Sequence, residues 1–459
     1  MAAASTVPLV GCGGASTLTV PLPNLAKDYG RTFTAQLNSV ASIYPTSSTF
    51  ALMQKVAASS TVTPQQLEVC WSLLGGYANM PNVPQPSTPL AFPADHALHP
   101  DASIEWYYFT LSLPVANGGI VSVICNFFRK ALAPASLAPW ASGLLGRSIC
   151  STSIGVTVEM PGTAATHYSW PVQTYFGNDP AVRFTASPLF WSLGKQSIAG
   201  GTNVFPLHIH LEDPGDASQG RPPVVIDVDS AATNPLFLQG VNGFVGAPGT
   251  VGYNYYSWPQ QLTTGTVTIG GTPYAVSNGL TWMDHQWGGS NPATSGPATP
   301  WTGWSWFECQ FQGNRSLTFS NTHGALPPGG IDTPAPGFGT YVDDSAVPVV
   351  SELFLSNLQI GSYATSAATG VVYPSAWTAQ IIAATPIPVS LQVSPVVNLK
   401  PQALWMGGLT EYAEAAGTVT ATGTIGGQPV SLTGVAYCES VGFEDPTAAN
   451  ARRISFLQS

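Results

Sequence analysis

Three stretches of the 459-residue chain gather ionisable and aromatic side chains at a density that a Ser/Thr-rich β surface does not need. The first runs from Phe92 through Asp95, His96, His99 and Asp101 into Glu105-Trp106-Tyr107-Tyr108. The second opens with Tyr253-Asn254-Tyr255-Tyr256-Ser257-Trp258. It continues at Trp282-Met283-Asp284-His285-Gln286-Trp287-Gly288 and ends at Trp304-Ser305-Trp306-Phe307-Glu308. The third is Tyr437-Cys438-Glu439-Ser440-Val441-Gly442-Phe443. An aspartate held between tryptophans is desolvated, and desolvation raises a carboxyl pKa, which suits Asp284 to general-acid work near neutral pH. The competing reading is an aspartate that accepts backbone N–H groups at a strand end. His285 can likewise be a water-orienting group or a hydrogen-bonding structural histidine. Glu105 and Glu439 stand in runs of aromatic and small residues, so each must be paired or protonated.

Position along a strand limits what these groups can do together. Alternate side chains share a face, so Trp282, Asp284 and Gln286 point one way and Met283, His285 and Trp287 the other. Asp284 and His285 line one cavity only if a bulge or strand end intervenes, which Gly288-Gly289 would permit. Two groups have metal-ligand character, Asp95/His96/His99/Asp101 and His208-x-His210. Loop duty explains the first and a solvated strand face the second, and neither has a Cys- or Glu-rich second shell, so no metal and no cofactor is expected. A G-x-S-x-G elbow, a P-loop and a dinucleotide fingerprint in strand-to-helix context are absent from the sequence.

The elements that must position these residues are mostly strands. Gly 47 and Pro 41 punish long helices. Apolar or alternating segments bounded by turn residues recur at Ser103 to Leu113, Ile120 to Phe128, Ser153 to Glu159, Phe205 to Leu211, Gly265 to Ile269, Gly303 to Phe311, Ser351 to Ile360, Gly417 to Ile425 and Val430 to Val441. Strand signals hold to the end of the chain on this reading. Before them, Ser48 to Ala58 and Pro64 to Leu74 read as short helices, the second capped by Thr63 with Pro64 in its first turn. One sandwich or small barrel seldom exceeds about 250 residues, so two β units are expected, over 86–290 and 291–459, with a Pro/Gly/Ser-rich joint at 288–300. Residues 1–85 form a separate, partly helical segment of unknown role.

At the quoted clusters the chain resembles the lipocalin-like hydratases and predicted secreted hydrolases typified by carotenoid hydratase and kievitone hydratase. The resemblance rests on a Phe-Pro-x-Asp-His-x-x-His-Pro-Asp loop, Glu-Trp-Tyr-Tyr where Glu-Trp-Trp-Tyr is usual, Tyr-Tyr-Ser-Trp-Pro, Trp-Met-Asp-His-Gln-Trp-Gly, Trp-Ser-Trp-Phe and Tyr-Cys-Glu-Ser-Val-Gly-Phe, in that order over 92–443. It implies an all-β protein of two lipocalin-like antiparallel β-barrel domains that hold a hydrophobic small molecule at or between them. The family spans carotenoid and isoflavonoid hydration, hydrolases without a known substrate and, more distantly, fungal cyclases, so it does not fix the substrate.

Composition excludes other classes. With 13 Lys+Arg against 23 Asp+Glu the net charge is -10, which leaves no basic patch for nucleic acid. No apolar run approaches the roughly 18 residues of a membrane helix. Met1 to Ser16 lacks a basic, apolar leader pattern, so the chain as it stands reads as cytoplasmic, or as secreted if a leader has been removed. The six cysteines show no Cys-x-x-Cys spacing, and Cys125 and Cys309 read as buried thiols. Oligomeric state is open. The expectation that follows is a cofactor-independent hydratase acting on a C=C bond of an isoprenoid-type molecule. Asp284 would be the acid and His285 would hold water. Trp106, Tyr107, Tyr255, Tyr256, Trp282, Trp304, Trp306, Glu105 and Glu439 would shape the pocket, their aromatic faces stabilising a carbocation. A cofactor-free cyclase using the same pocket and a binding protein without turnover are the alternatives.

Overall fold

The computed structural model describes residues 7–9, 16–18, 25–42, 47–74, 89–186, 189–201, 204–247, 251–290, 303–323, 338–343, 351–367, 369–384, 387–397 and 402–459. Most of the joint at 288–300, with Cys12 and much of the segment 1–85, lies outside them. The described chain is all-β apart from helices at its two ends, in two antiparallel, lipocalin-like layers.

The first layer is an open sheet that curls round one core. Its middle is a run of long antiparallel strands, Ser148–Glu159, Ile120–Ala131, Ile104–Pro114, Thr272–Ser290, Val251–Ile269, Val224–Ala232 and Val204–Asp213. The second layer runs from Gly303–Phe311 to Gln428–Val441. Its Val389–Val396 strand pairs with both Val372–Ala383 and Thr410–Ile425, which closes a ring of eight strands. Each layer has its own core: Tyr107, Phe109, Leu111 and Leu113 point into the first, and Phe307, Cys309, Phe311 and Leu391 into the second.

Where the layers meet, the strand faces turned away from those cores pack against each other. Tyr108, Ile124, Phe237 and Trp282 from the first layer meet Trp306, Val342, Leu404, Tyr412 and Val441 from the second. Side-chain amides fasten the seam: Gln310 Nε2 donates to Pro259 O at 2.9 Å, and Gln260 Nε2 to Phe311 O at 3.0 Å. The Tyr437 hydroxyl lies 2.8 Å from Leu111 O. Ile104–Pro114 up to Leu113 and the 279–289 half of Thr272–Ser290 are therefore mostly buried on both faces, which is why aromatic and apolar residues occupy both faces there.

Helices at Ser48–Ala57 and Pro64–Leu73 form where the sequence places them, and Thr63 makes a capping box with Gln66. Two more were not expected. Leu25–Val40 turns Leu25, Tyr29, Phe33 and Leu37 inward at four-residue spacing, and a Cβ on Gly30 would meet Ala57 O, so only glycine lets these helices approach. Pro446–Gln458, capped by Asp445, corrects the expectation that strands continue to the C-terminus. Its Asp-Pro start was readable as a cap signal but was outweighed by the strand pattern before it.

All four helices share one core with Leu132, Ile149 and Phe176 of the first layer. Buried Lys130 donates to buried Glu68 inside this contact, and Glu68 also accepts from Ser151 Oγ at 2.9 Å and Thr174 Oγ1 at 3.1 Å. Removing one partner of such a pair leaves the other charge buried and uncompensated. Lys130→Ala should cost about 3–5 kcal/mol of stability, read from the guanidinium midpoint at constant slope.

Candidate active site

Thr272–Ser290 pairs with Ile104–Pro114 in unbroken register from Leu280 to Gly288, and its neighbour Val251–Ile269 is in register from Val251 to Trp258. No bulge falls at Asp284 or His285. Asp284 stands beside Ser257 and Tyr108, His285 beside Tyr256 and Tyr107. The candidate residues thus divide between two compartments. Glu105, Tyr107, Tyr256 and His285 face the core of the first layer. Trp106, Tyr255, Trp282, Trp304, Trp306, Glu439 and Asp284 face the seam. This corrects the pairing of Asp284 with His285 as partners on one reacting centre: strand alternation separates them, and the Gly288-Gly289 end comes too late to undo it.

On the inner face, charge is balanced. Glu105 is wholly buried and takes Arg129 Nε at 3.3 Å, His99 Nδ1 at 2.7 Å, His285 Nε2 at 3.2 Å and the His99 backbone N–H at 2.9 Å. Burial opposes its ionisation, but His99, His285 and Arg129 together hold the carboxyl well below its ordinary range. Burial likewise disfavours charge on His99, yet Glu105 and Asp95 raise its pKa. Burial pushes His285 and His96 down to about 4. A neutral His285 that donates Nε2–H to Glu105 leaves Nδ1 to accept from the Tyr256 hydroxyl at 3.1 Å, and its ring stacks on Tyr107 with centroids 4.1 Å apart. His96 Nδ1 meets the same hydroxyl at 2.6 Å, and His99 stacks on Trp287 at 3.8 Å. The group clasps the 92–101 loop to the strand. His99, Glu105 and His285 are close enough to share a cation, but Arg129 already supplies the positive charge that Glu105 needs.

The seam is the opposite case. Asp284 accepts from the Tyr255 hydroxyl at 2.7 Å, the Ser257 hydroxyl at 2.5 Å and Trp282 Nε1 at 2.8 Å. Despite these three donors, burial pushes its pKa up to about 7. Glu439, which accepts from Trp304 Nε1, is also raised by burial to about 7, with Asp284 adding repulsion. Burial carries Glu308 and Glu414 well above the ordinary range, and neighbouring carboxyls add to it. None of these four acids takes part in an ion pair among the described residues. Aromatic rings enclose them: Trp306 lies edge-on to Trp282 at 6.0 Å and to Tyr108 at 5.7 Å. Trp306 Nε1 and Glu308 Oε2 have no hydrogen-bond partner among the described residues. Such a set can hold protons at neutral pH and deliver one into an apolar, π-lined space.

A groove of about 750 Å³ opens at one end of the seam between Leu262 and Leu280 of the first layer and Gln310, Phe311 and Val435 of the second. Gln310 shares a strand face with Glu308, Trp306 and Trp304. At about 3.3 Å per residue the groove lies roughly 7 Å from Glu308 and 13 Å from Trp306.

The sequence reading missed Glu308, Glu414, Tyr108, Ser257 and Arg129. The first two carried a signal, since a carboxylate inside an apolar strand is unusual in a chain only 8% charged. Arg129, in an apolar run, was legible as a buried partner for some acid.

The raised acids set a pH dependence of stability. An acid that keeps its proton up to pH 7 when folded but loses it near pH 4 when unfolded stabilises the fold at low pH. That contribution drains away between those values, by up to about 1.4 kcal/mol per pH unit for each group. The Glu105 ion pair works the other way, and its contribution is lost only as pH falls below about 4. His285 and His96, which burial keeps neutral down to about 4, oppose this up to about pH 6.5, but they are two groups against four acids. Stability should therefore decline from pH 5 to pH 7, and Asp284→Asn should flatten the decline; urea melts of both proteins at the two pH values check this.

The lipocalin-like architecture has counterparts among solved structures. A protein assigned as AttH from Nitrosomonas europaea is 22% identical with a TM-score of 0.57, the match covering 79% of this chain and 100% of that one. Kievitone hydratase from Nectria haematococca is 15% identical with a TM-score of 0.51, covering 79% of this chain and 98% of that one. Among curated proteins none matches significantly. The AttH-like family model matches residues 83–443, which takes in both layers, the inner clasp and all four seam acids, and the chain belongs to the AttH-like family.

Proposed function

We infer that the protein is a hydratase that adds water to a C=C bond of a hydrophobic, isoprenoid-type molecule held in the seam. The observation that carries this reading is a set of four buried carboxyls without a counter-ion among the described residues, two of them with pKa values near 7, walled by Trp282, Trp304, Trp306 and Tyr108. Protonating an alkene requires a positioned acid and a surrounding that tolerates the carbocation. Asp284 supplies the first. Its three donors stabilise the carboxylate that proton transfer leaves behind, and that carboxylate is then the counter-ion of the cation. Each aromatic face adds about 1–2 kcal/mol in a dry site. Glu439, whose pKa near 7 leaves part of it ionised, accepts the proton of the attacking water and the proton returns to the Asp284 carboxylate, a role His285 cannot fill from the other side of the strand. Kievitone hydratase, a hydratase by name, has the same fold, which is compatible with this chemistry.

Asp284→Asn retains shape and removes the transferable proton, so turnover should fall roughly 100- to 10,000-fold with ligand affinity little changed. His285→Ala should act through stability of the 92–101 loop instead. Turnover in oxygen-18 water should label the product and should survive dialysis against EDTA. An unlabelled, isomerised product would make the protein a cyclase, and an extracted ligand identical to the one supplied would make it a binding protein.

A further inference from the structure

The solvent face of the first layer carries a second cluster of ligating groups, away from both compartments. His208 and His210 sit on Val204–Asp213, and the facing strand Val224–Ala232 places Asp229 opposite His208 and Asp227 opposite His210. Leu207, Ile209 and Leu211 point into the core, so alternation turns both imidazoles outward. The reading of this face as merely solvated took account of His-x-His but not of Asp-x-Asp on the paired strand.

We propose that these residues bind one divalent transition-metal ion, with His208, His210 and Asp227 as ligands and Asp229 holding His208 in place. Three observations support it. His208 Nε2 lies 3.3 Å from Asp227 Oδ1, and His210 Nδ1 lies 3.6 Å from Asp227 Oδ2. Metal–ligand bonds of about 2.0–2.1 Å in a tetrahedron set neighbouring ligand atoms about 3.3 Å apart, so the spacing already suits zinc. The three residues' ligand atoms all lie within 4.8 Å of one another. The third observation is the outer carboxylate. Asp229 Oδ1 accepts from His208 Nδ1 at 2.9 Å, which leaves the Nε2 lone pair directed at Asp227, the carboxylate–histidine–metal arrangement of zinc sites.

The neighbouring rows leave the site to the cation. On that face Ser197 and Ala199 flank the histidines, Thr266 and Thr264 flank the aspartates, and Lys195, beyond Ser197, is taken up by Glu212. Two imidazoles with carboxylate suit zinc, nickel, cobalt or copper rather than magnesium or calcium. A water completes the fourth position, and the ion bridges two adjacent strands of the sheet.

The test is zinc chloride titrated into the metal-stripped full-length protein by calorimetry, repeated with His208→Ala, His210→Ala, the double variant and Asp229→Ala. Because these side chains are partly exposed, the variants should keep wild-type circular dichroism. One zinc should bind saturably. Each single histidine variant should weaken binding at least 30-fold, and Asp229→Ala by about 10-fold. Cobalt should give the visible d–d bands of a four-coordinate ion without thiolate charge transfer, and turnover should be unchanged in the double variant. Unaltered zinc affinity in the double variant, thiolate bands with cobalt, or no saturable binding up to millimolar zinc would overturn the proposal and leave four residues that only hydrogen-bond one another.

Discussion

Burying a carboxyl without a cation is among the costliest things a fold can do, and among the described residues this one does it four times in the same place. Asp284, Glu308, Glu414 and Glu439 cannot be tolerated there as anions side by side, so they remain neutral or share protons. That condition dictates much of the surroundings. Each acid comes from an interior strand of one of the two layers rather than from a loop, so neither water nor a side-chain swing can easily relieve it. The acids are brought together by packing that has nothing to do with charge: the Trp282, Trp306 and Tyr108 contact and the glutamine amides along the seam.

The inner compartment uses the opposite solution. Glu105, Arg129, His99 and His285 satisfy one another, and their hydrogen bonds tie a loop, three strands and a buried tyrosine pair into one rigid frame. A satisfied network of this kind fixes geometry but has little chemical capacity to spare. The set across the same strand has the capacity, and its neutral hydrogen bonds from Tyr255, Ser257, Trp282 and Trp304 hold the acids without supplying a counter-charge. The two faces are complementary in that sense, the clasp supplying the rigidity on which a proton donor depends.

How far the sequence discloses this depends on which physical signal is asked. Periodicity and turn residues reveal the strands, because buried β structure writes itself in apolar runs, and Thr63-Pro64 reveals a helix start. Leu25–Val40 escaped because Lys27, Asp28, Gly30 and Arg31 lie among its apolar residues, and Pro446–Gln458 because its apolar residues form no stripe, only Ala449 and Leu457 being buried. The raised pKa of Asp284 was legible from its flanking tryptophans. The separation of Asp284 from His285 was legible too, from alternation alone, once no bulge intervened. What could not be read was which layer would cover the outer face: Glu308 and Glu414 join Asp284 only because the second ring of strands docks there, and no local pattern encodes docking.

Register is where these observations converge. Sliding Thr272–Ser290 by one residue would exchange its faces, moving Asp284 against Glu105 and His285 among the seam acids. In the core of the first layer, Asp284 would sit beside an ionised carboxylate; in the seam, His285 would take up protons from Glu439 and Glu414 and form a buried ion pair there. Trp282 and Trp287 would also exchange cores, with a loss of packing on both sides. The native register therefore has an electrostatic gap over its nearest competitor as well as a hydrophobic one. The same alternation that forbids a joint Asp284–His285 centre is what keeps the proton-holding set apart from Arg129 and His99 on the inner face.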